Sequence, residues 1–167
     1  MMSDKLLSSV KLIAFDFDGV FTDNTVYVTQ GGVESVRCWR SDGIGLSRLK
    51  DLGVQAIIIS TEANRVVTTR AKKLKIPCKQ GVADKADAIL KSCAELGVSP
   101  DQTMFIGNDV NDIPAFKAIK FPVAVADAYP EVLPYVLFST ERSGGFGAVR
   151  EVCDLICQAK SKGLIGL

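Results

Sequence analysis

No histidine occurs among the 167 residues. Ser-His-Asp and Cys-His nucleophiles, imidazole-ligated zinc and imidazole acid–base catalysis are thereby excluded. Any chemistry is left to carboxylates, hydroxyls, lysines or a metal held by oxygen. Cysteine is scarce and scattered. The five residues (Cys38, Cys78, Cys93, Cys153, Cys157) are odd in number and form no C-x-x-C pair, which argues against a disulfide framework and for a reducing, cytoplasmic setting. No apolar run approaches the ~18 residues of a membrane span, and Leu6–Leu7 is too short for the core of a signal peptide. An excess of charge is also lacking. Twenty Lys plus Arg balance nineteen Asp plus Glu for a net +1, so neither nucleic acid nor a membrane surface is an expected partner.

What is present is ordinary globular composition, 47% hydrophobic and 23% charged. That suits one domain spanning residues 1–167, without repeats or linkers. Lys11–Phe17, Val54–Ile59, Thr103–Ile106 and Phe121–Val125 read as strands, and Ile76–Lys79 as a weaker fifth. Their near-continuous apolar character fits a parallel sheet covered on both faces. Helical spacing appears in Ala63–Leu74, in Ala86–Leu96 with Asp84 as cap and Gly97 as stop, and in Val149–Ile156. Strand–helix alternation of this kind predicts an α/β fold in three layers. One segment breaks the alternation. Thr25–Thr29 and Glu34–Trp39 are β-branched and aromatic around Gln30-Gly31-Gly32, which predicts a β-hairpin over 25–39. So small a hairpin needs something to pack on, such as another subunit.

The densest chemistry follows the first strand, in Asp16-Phe17-Asp18-Gly19-Val20-Phe21-Thr22-Asp23. Ligands of open α/β sheets bind at the carboxyl ends of strands. Two carboxylates crowded there repel unless a cation neutralises them, and Mg2+ with oxygen ligands is the economical choice. An EF-hand loop is ruled out, because Val20 and Phe21 stand where a ligand and a glycine are needed. A second acidic cluster, Gly107-Asn108-Asp109-Val110-Asn111-Asp112, follows the strand Thr103–Ile106. On its own it reads equally well as a helix cap. Ser60 and Thr61 end another strand, where a hydroxyl and backbone N–H groups hold a phosphoryl oxygen or merely cap a helix. Lys85 opens a helix against the macrodipole, a position that an anion or the acidic clusters would explain.

In this order, D-x-D-G-V, a Ser/Thr strand end, a Lys and G-N-D-x-x-D, the sequence resembles the haloacid dehalogenase superfamily of phosphohydrolases over nearly its whole length. With only a hairpin where larger members carry a cap domain, it is similar to the capless branch, which acts on sugar acid phosphates. Ala124–Ala128 and Gly144–Glu151 extend the likeness towards the C-terminus. The resemblance implies a Rossmann-like fold without a cap and an Mg2+ cofactor. It implies a homotetramer built through the hairpin. Asp16 would be the nucleophile that forms an aspartyl-phosphate, and Asp18 the acid and base. Ser60 and Lys85 would hold the phosphoryl oxygens. The metal would be bound by Asp16, the Asp18 backbone carbonyl and Asn108, with Asp109 and Asp112 around them.

The chain departs from the family pattern in three places. The last motif usually begins Gly-Asp, and here it begins Gly107-Asn108. Phe146 replaces an Arg in the glycine-rich tail, which in capless tetramers reaches a neighbouring active site. Ser60-Thr61-Glu62 and Ser41-Asp42-Gly43 resemble the enzymes of nine-carbon (KDN or N-acylneuraminate) 9-phosphates. The eight-carbon (3-deoxy-D-manno-octulosonate, KDO, 8-phosphate) enzymes carry Arg-containing motifs there. Glu62, Ser41 and Asp42 are therefore expected to set specificity for a nine-carbon acid, with KDO 8-phosphate as the alternative. Two other classes compete. A phosphoacceptor receiver domain would carry its Asp where Ser60 stands. A non-catalytic tetramerisation module, like those fused to cytidylyltransferases, has no need of both Asp16 and Asp18.

Overall fold

The computed structural model describes residues 4–165. In chain order the elements are α1 (Asp4–Leu7), β1 (Leu12–Phe15), β2 (Tyr27–Val28), β3 (Glu34–Ser35), α2 (Asp42–Asp51), β4 (Gln55–Ile59), α3 (Arg65–Leu74), β5 (Cys78–Lys79), α4 (Lys85–Leu96), β6 (Thr103–Gly107), α5 (Ile113–Ala118), β7 (Phe121–Ala124), β8 (Phe138–Ser139) and α6 (Ala148–Ile165). Six strands form one sheet in the order β5-β4-β1-β6-β7-β8. Every pairing in it is parallel, and β1 sits at the centre, with Phe15 opposite Ile58 on one side and Ile106 on the other.

The apolar strands are covered twice, as their composition requires. Ile13, Phe15, Ile58, Met104 and Ile106 face a core closed by α1, α2, α3 and α6, through residues such as Leu49, Val67, Val152 and Ile156. Leu12, Ala14, Ile57, Ile59 and Phe105 face the other core, closed by α4 and α5 through Ile89, Cys93 and Phe116. This is the three-layer α/β architecture expected from the alternation. Asp84 accepts hydrogen bonds from the Ala86 and Asp87 amides to cap α4, and Gly97 ends that helix at φ 66°. No helix among the described residues is long and apolar enough to cross a membrane.

One expectation needs correction, and two elements are additional to those expected. The hairpin is real but short: its strands hold two residues each, pairing Tyr27 with Ser35 and Val28 with Glu34, and beyond them only a bridge joins Thr22 to Cys38. Helix α2 was not anticipated. Its Gly43 and Gly45 depress helix propensity, and the helix forms because it packs against α6 and β4. The edge strand β8 was missed because two residues carry no periodicity. Between β1 and α2 the described residues hold this ribbon and no folded cap.

Candidate active site

Strand order brings the carboxyl ends of β4, β1 and β6 side by side, and with them the first, second and fourth motifs. Just past β1, the Asp16 amide still donates to the Ile106 carbonyl at 2.9 Å, so the sheet itself aims this residue. Phe17, Val20 and Phe21 are fully buried and anchor the turn that follows. Inside that turn the Thr22 hydroxyl accepts the Gly19 and Asn24 amides. Asp16 is buried, while Asp18 is half-buried.

Lys85 reaches this point from the first turn of α4. Its Nζ lies 2.8 Å from Asp16 Oδ1 and 2.6 Å from Asp112 Oδ1, and it is 2% exposed. The acidic clusters therefore account for a lysine at a helix start. Asp112 is fully engaged. Its second oxygen accepts the Asn108 amide at 2.8 Å and the Asp109 amide at 3.2 Å, which fixes the loop after β6. Asp109 caps its own turn through the Val110 amide. Asn108 packs directly against Gly19, in space that a Cβ there would fill. Its Oδ1 is buried and has no hydrogen-bond partner among the described residues, a costly state for an amide oxygen unless something else binds it.

Charge tells the same story. Burial pushes Asp16 up to about 7, the charge of Asp112 adds to the rise and Lys85 works against it. Asp18 is raised by burial and then by the charge of Glu62. Burial disfavours the Lys85 ammonium, but Asp16 and Asp112 outweigh it and hold the lysine above its ordinary value. Two buried carboxylates against one ammonium leave room for a further cation.

Ser60 ends β4, 1% exposed, and its hydroxyl accepts the Glu62 amide at 3.1 Å. It does not cap α3, because Asn64 does that. Glu62 accepts the Asn64 amide at 2.7 Å, and the Asn64 side chain donates to Glu34 on the hairpin at 2.8 Å. Glu34 and Glu62 border a cleft of about 320 Å³ lined also by Asp18, Asn24, Thr25 and Val66. Glu34 and Asn64 were not anticipated. Their tie is tertiary, and the hairpin pattern alone does not aim Glu34 at the cleft.

Ser41 and Asp42 lie elsewhere. Ser41 borders a groove with Trp39, Arg142 and Arg150. Asp42 is 1% exposed beneath α6 and accepts the Arg150 amide at 3.2 Å. Burial raises it to about 7 despite that bond and the charges of Arg70 and Arg150. Its folded value thus stands above its unfolded one, so the stability it contributes at low pH is lost as pH rises from about 4 to about 7. Asp42→Asn is expected to escape that loss. Its advantage over the wild type in unfolding free energy should widen by about 2 kcal/mol between about pH 5 and pH 8, as read by urea melts. A constant gap would place an ionised Asp42 at both pH values.

A family model described as haloacid dehalogenase-like hydrolase matches residues 50–149. The 3-deoxy-D-manno-octulosonate 8-phosphate phosphatase of Yersinia pestis is 37% identical over 93% of this chain and 83% of that protein. Its counterpart in Escherichia coli K12 is 32% identical over 92% of this chain and 82% of the relative. Among solved structures, the same phosphatase from Moraxella catarrhalis superposes with a TM-score of 0.90 at 31% identity, covering 98% of this chain and 95% of that one. That structure is a complex with magnesium, phosphate and KDO.

Proposed function

The chain belongs to the haloacid dehalogenase-like hydrolases, and on that premise we propose that it hydrolyses the phosphomonoester of a 2-keto-3-deoxy sugar acid, KDO 8-phosphate first among them. The observation that carries this reading is the convergence of Asp16, Lys85 and Asn108 at adjacent strand ends, with Ser60 closing the neighbouring one. An Asp16 oxygen attacks phosphorus, and the bond from phosphorus to the sugar oxygen breaks. That oxygen keeps the electron pair and takes a proton from Asp18. Water then attacks the aspartyl-phosphate and gives its proton to Asp18, and inorganic phosphate leaves Asp16 free. Burial, and then the charge of Glu62, shift Asp18 in the direction that favours its protonated form, as an acid requires. Ser60 and Lys85 bind the phosphoryl oxygens.

The donor set of the Asp16 carboxylate, the Asp18 backbone carbonyl and the orphaned Asn108 Oδ1 suits a small, hard cation. Bound there, Mg2+ would offset repulsion between Asp16 and the phosphate dianion. The five cysteines are all free, in keeping with a reducing, cytoplasmic setting. A phosphate-release screen over sugar acid phosphates, with Mg2+ and with chelator, tests the reading. Release from KDO 8-phosphate that needs Mg2+ is expected, and no release from any sugar acid phosphate overturns it.

The relatives move the weight from the nine-carbon acid to the eight-carbon one. One observation keeps the nine-carbon reading in play. Glu62 sits at the cleft, where it repels a substrate carboxylate and accepts hydrogen bonds from hydroxyls or an N-acyl amide. Glu62→Arg is expected to raise the kcat/KM ratio of KDO 8-phosphate over a nine-carbon 9-phosphate about tenfold. An unchanged ratio leaves Glu62 as the turn residue that its bond to the Asn64 amide describes.

The hairpin supports a tetramer. Val26, Tyr27, Val28 and Val33 are 51–64% exposed on it, too much apolar surface for so small a ribbon to leave in water. Sedimentation at micromolar concentration is expected to show a homotetramer, and a monomer would remove the hairpin from the account of assembly.

A further inference from the structure

The segment between β8 and α6 takes no part in the chemistry above, yet it lies against the turn that bears Asp18. The Gly145 amide donates to the Val20 carbonyl at 3.0 Å, and the Gly144 amide to Asp127 Oδ1 at 2.8 Å. A Cβ on Gly144 would overlap the Gly19 carbonyl, and one on Gly145 the Asp23 amide. Only a bare backbone approaches the turn this closely. The outer side of this loop is clasped by Arg37, which follows β3. Its Nη1 donates to the Gly145 carbonyl at 3.0 Å and lies 3.4 Å from Asp23 Oδ2. Its guanidinium sits 4.2 Å from the centre of the Phe146 ring and 5.7 Å from that of Trp39. Phe146 is 46% exposed, so core burial does not explain it. The cation over its face does.

We propose that Arg37 and Phe146 are positioning residues for Asp18, acting through the Gly144–Gly145 backbone. The inference rests on the reading of Asp18 as the acid that protonates the leaving oxygen. One guanidinium ties together both ends of the turn's support: Asp23 at its exit, and the glycine pair behind Gly19 and Val20. Phe146 holds that guanidinium in place. The glycine-rich tail of this chain therefore packs on its own active-site turn. A proton donor must stay within hydrogen-bond reach of the oxygen it serves, and small misplacements cost large factors in rate.

The effect should depend on the leaving group. A sugar alkoxide needs the proton, whereas p-nitrophenolate departs without it. For Phe146→Ala and Arg37→Met, kcat on KDO 8-phosphate is expected to fall about tenfold or more with KM within about twofold. On p-nitrophenyl phosphate the first-turnover release of p-nitrophenolate, which takes no proton from Asp18, should stay within about twofold in rate, and Phe146→Tyr, which keeps a face for the cation, should behave as wild type. Equal losses on both substrates, or none on either, would overturn the positioning role. Phe146 is on the surface, so its variants test the idea even if Arg37→Met folds poorly. A wild type inactive on both substrates would instead overturn the phosphatase reading itself.

Discussion

Asp16→Asn is expected to abolish turnover, with kcat/KM on KDO 8-phosphate falling by about 10⁴-fold or more. The amide keeps the volume of the carboxyl and cannot attack phosphorus as an anion. The fold should survive, because Lys85 keeps Asp112 at 2.6 Å and Asp112 keeps the Asn108 and Asp109 amides. Stability should even rise slightly. Burial lifts Asp16 to about 7 in the folded chain, so above about pH 4 its ionised form weighs against folding, and a neutral side chain removes that penalty. Rates and thermal melts of the same preparation, taken without Mg2+, check both parts. Activity within about tenfold of wild type would end the aspartyl-phosphate mechanism, whatever the melting temperature.

Much of this site is legible in the sequence because it rests on local patterns. The runs before Asp16, Ser60 and Asn108 are apolar enough to be central strands, and parallel strands put their carboxyl ends together. Asp84 with Gly97 bounds α4 and so places Lys85 in its first turn. What escaped depends on tertiary contact. Helix α2 contains two glycines and no clean stripe, and Gly45 is tolerated because α6 crosses closely above it. Asp42 looks like a polar loop residue until the Arg150 amide and the body of α6 close over it. Ser60 looks like a helix cap, but the chain makes one more turn and Asn64 takes that role. Glu34 enters the cleft only because the hairpin folds back towards α3. Local spacing thus marks the candidate groups, and packing decides which of them meet.

Lys85→Met should be strongly damaging to stability. Methionine matches the aliphatic stem and removes the only cation within hydrogen-bond reach of Asp16 and Asp112 among the described residues. Both carboxylates are at most 7% exposed at the side chain, so water cannot replace the ammonium. Removing one partner of a buried charge cluster costs about 3–5 kcal/mol, and for a domain of this size the melting temperature should drop by roughly 10 °C. The loss should depend on pH in a definite direction. Without the ammonium, Asp16 is held still further above its unfolded value, so the variant loses stability as pH rises from about 4 and recovers as pH falls. Added Mg2+ should restore part of the loss, since a cation at Asp16 and Asn108 again faces the buried charge. Asp112→Asn in the same background should restore part of it by removing one carboxylate. Melts of the single and double variants at two pH values decide the matter. A pH-independent loss below about 1 kcal/mol would mean that the Asp16–Lys85–Asp112 cluster behaves as a solvated surface pair, and the charge balance assigned to the site would fall with it.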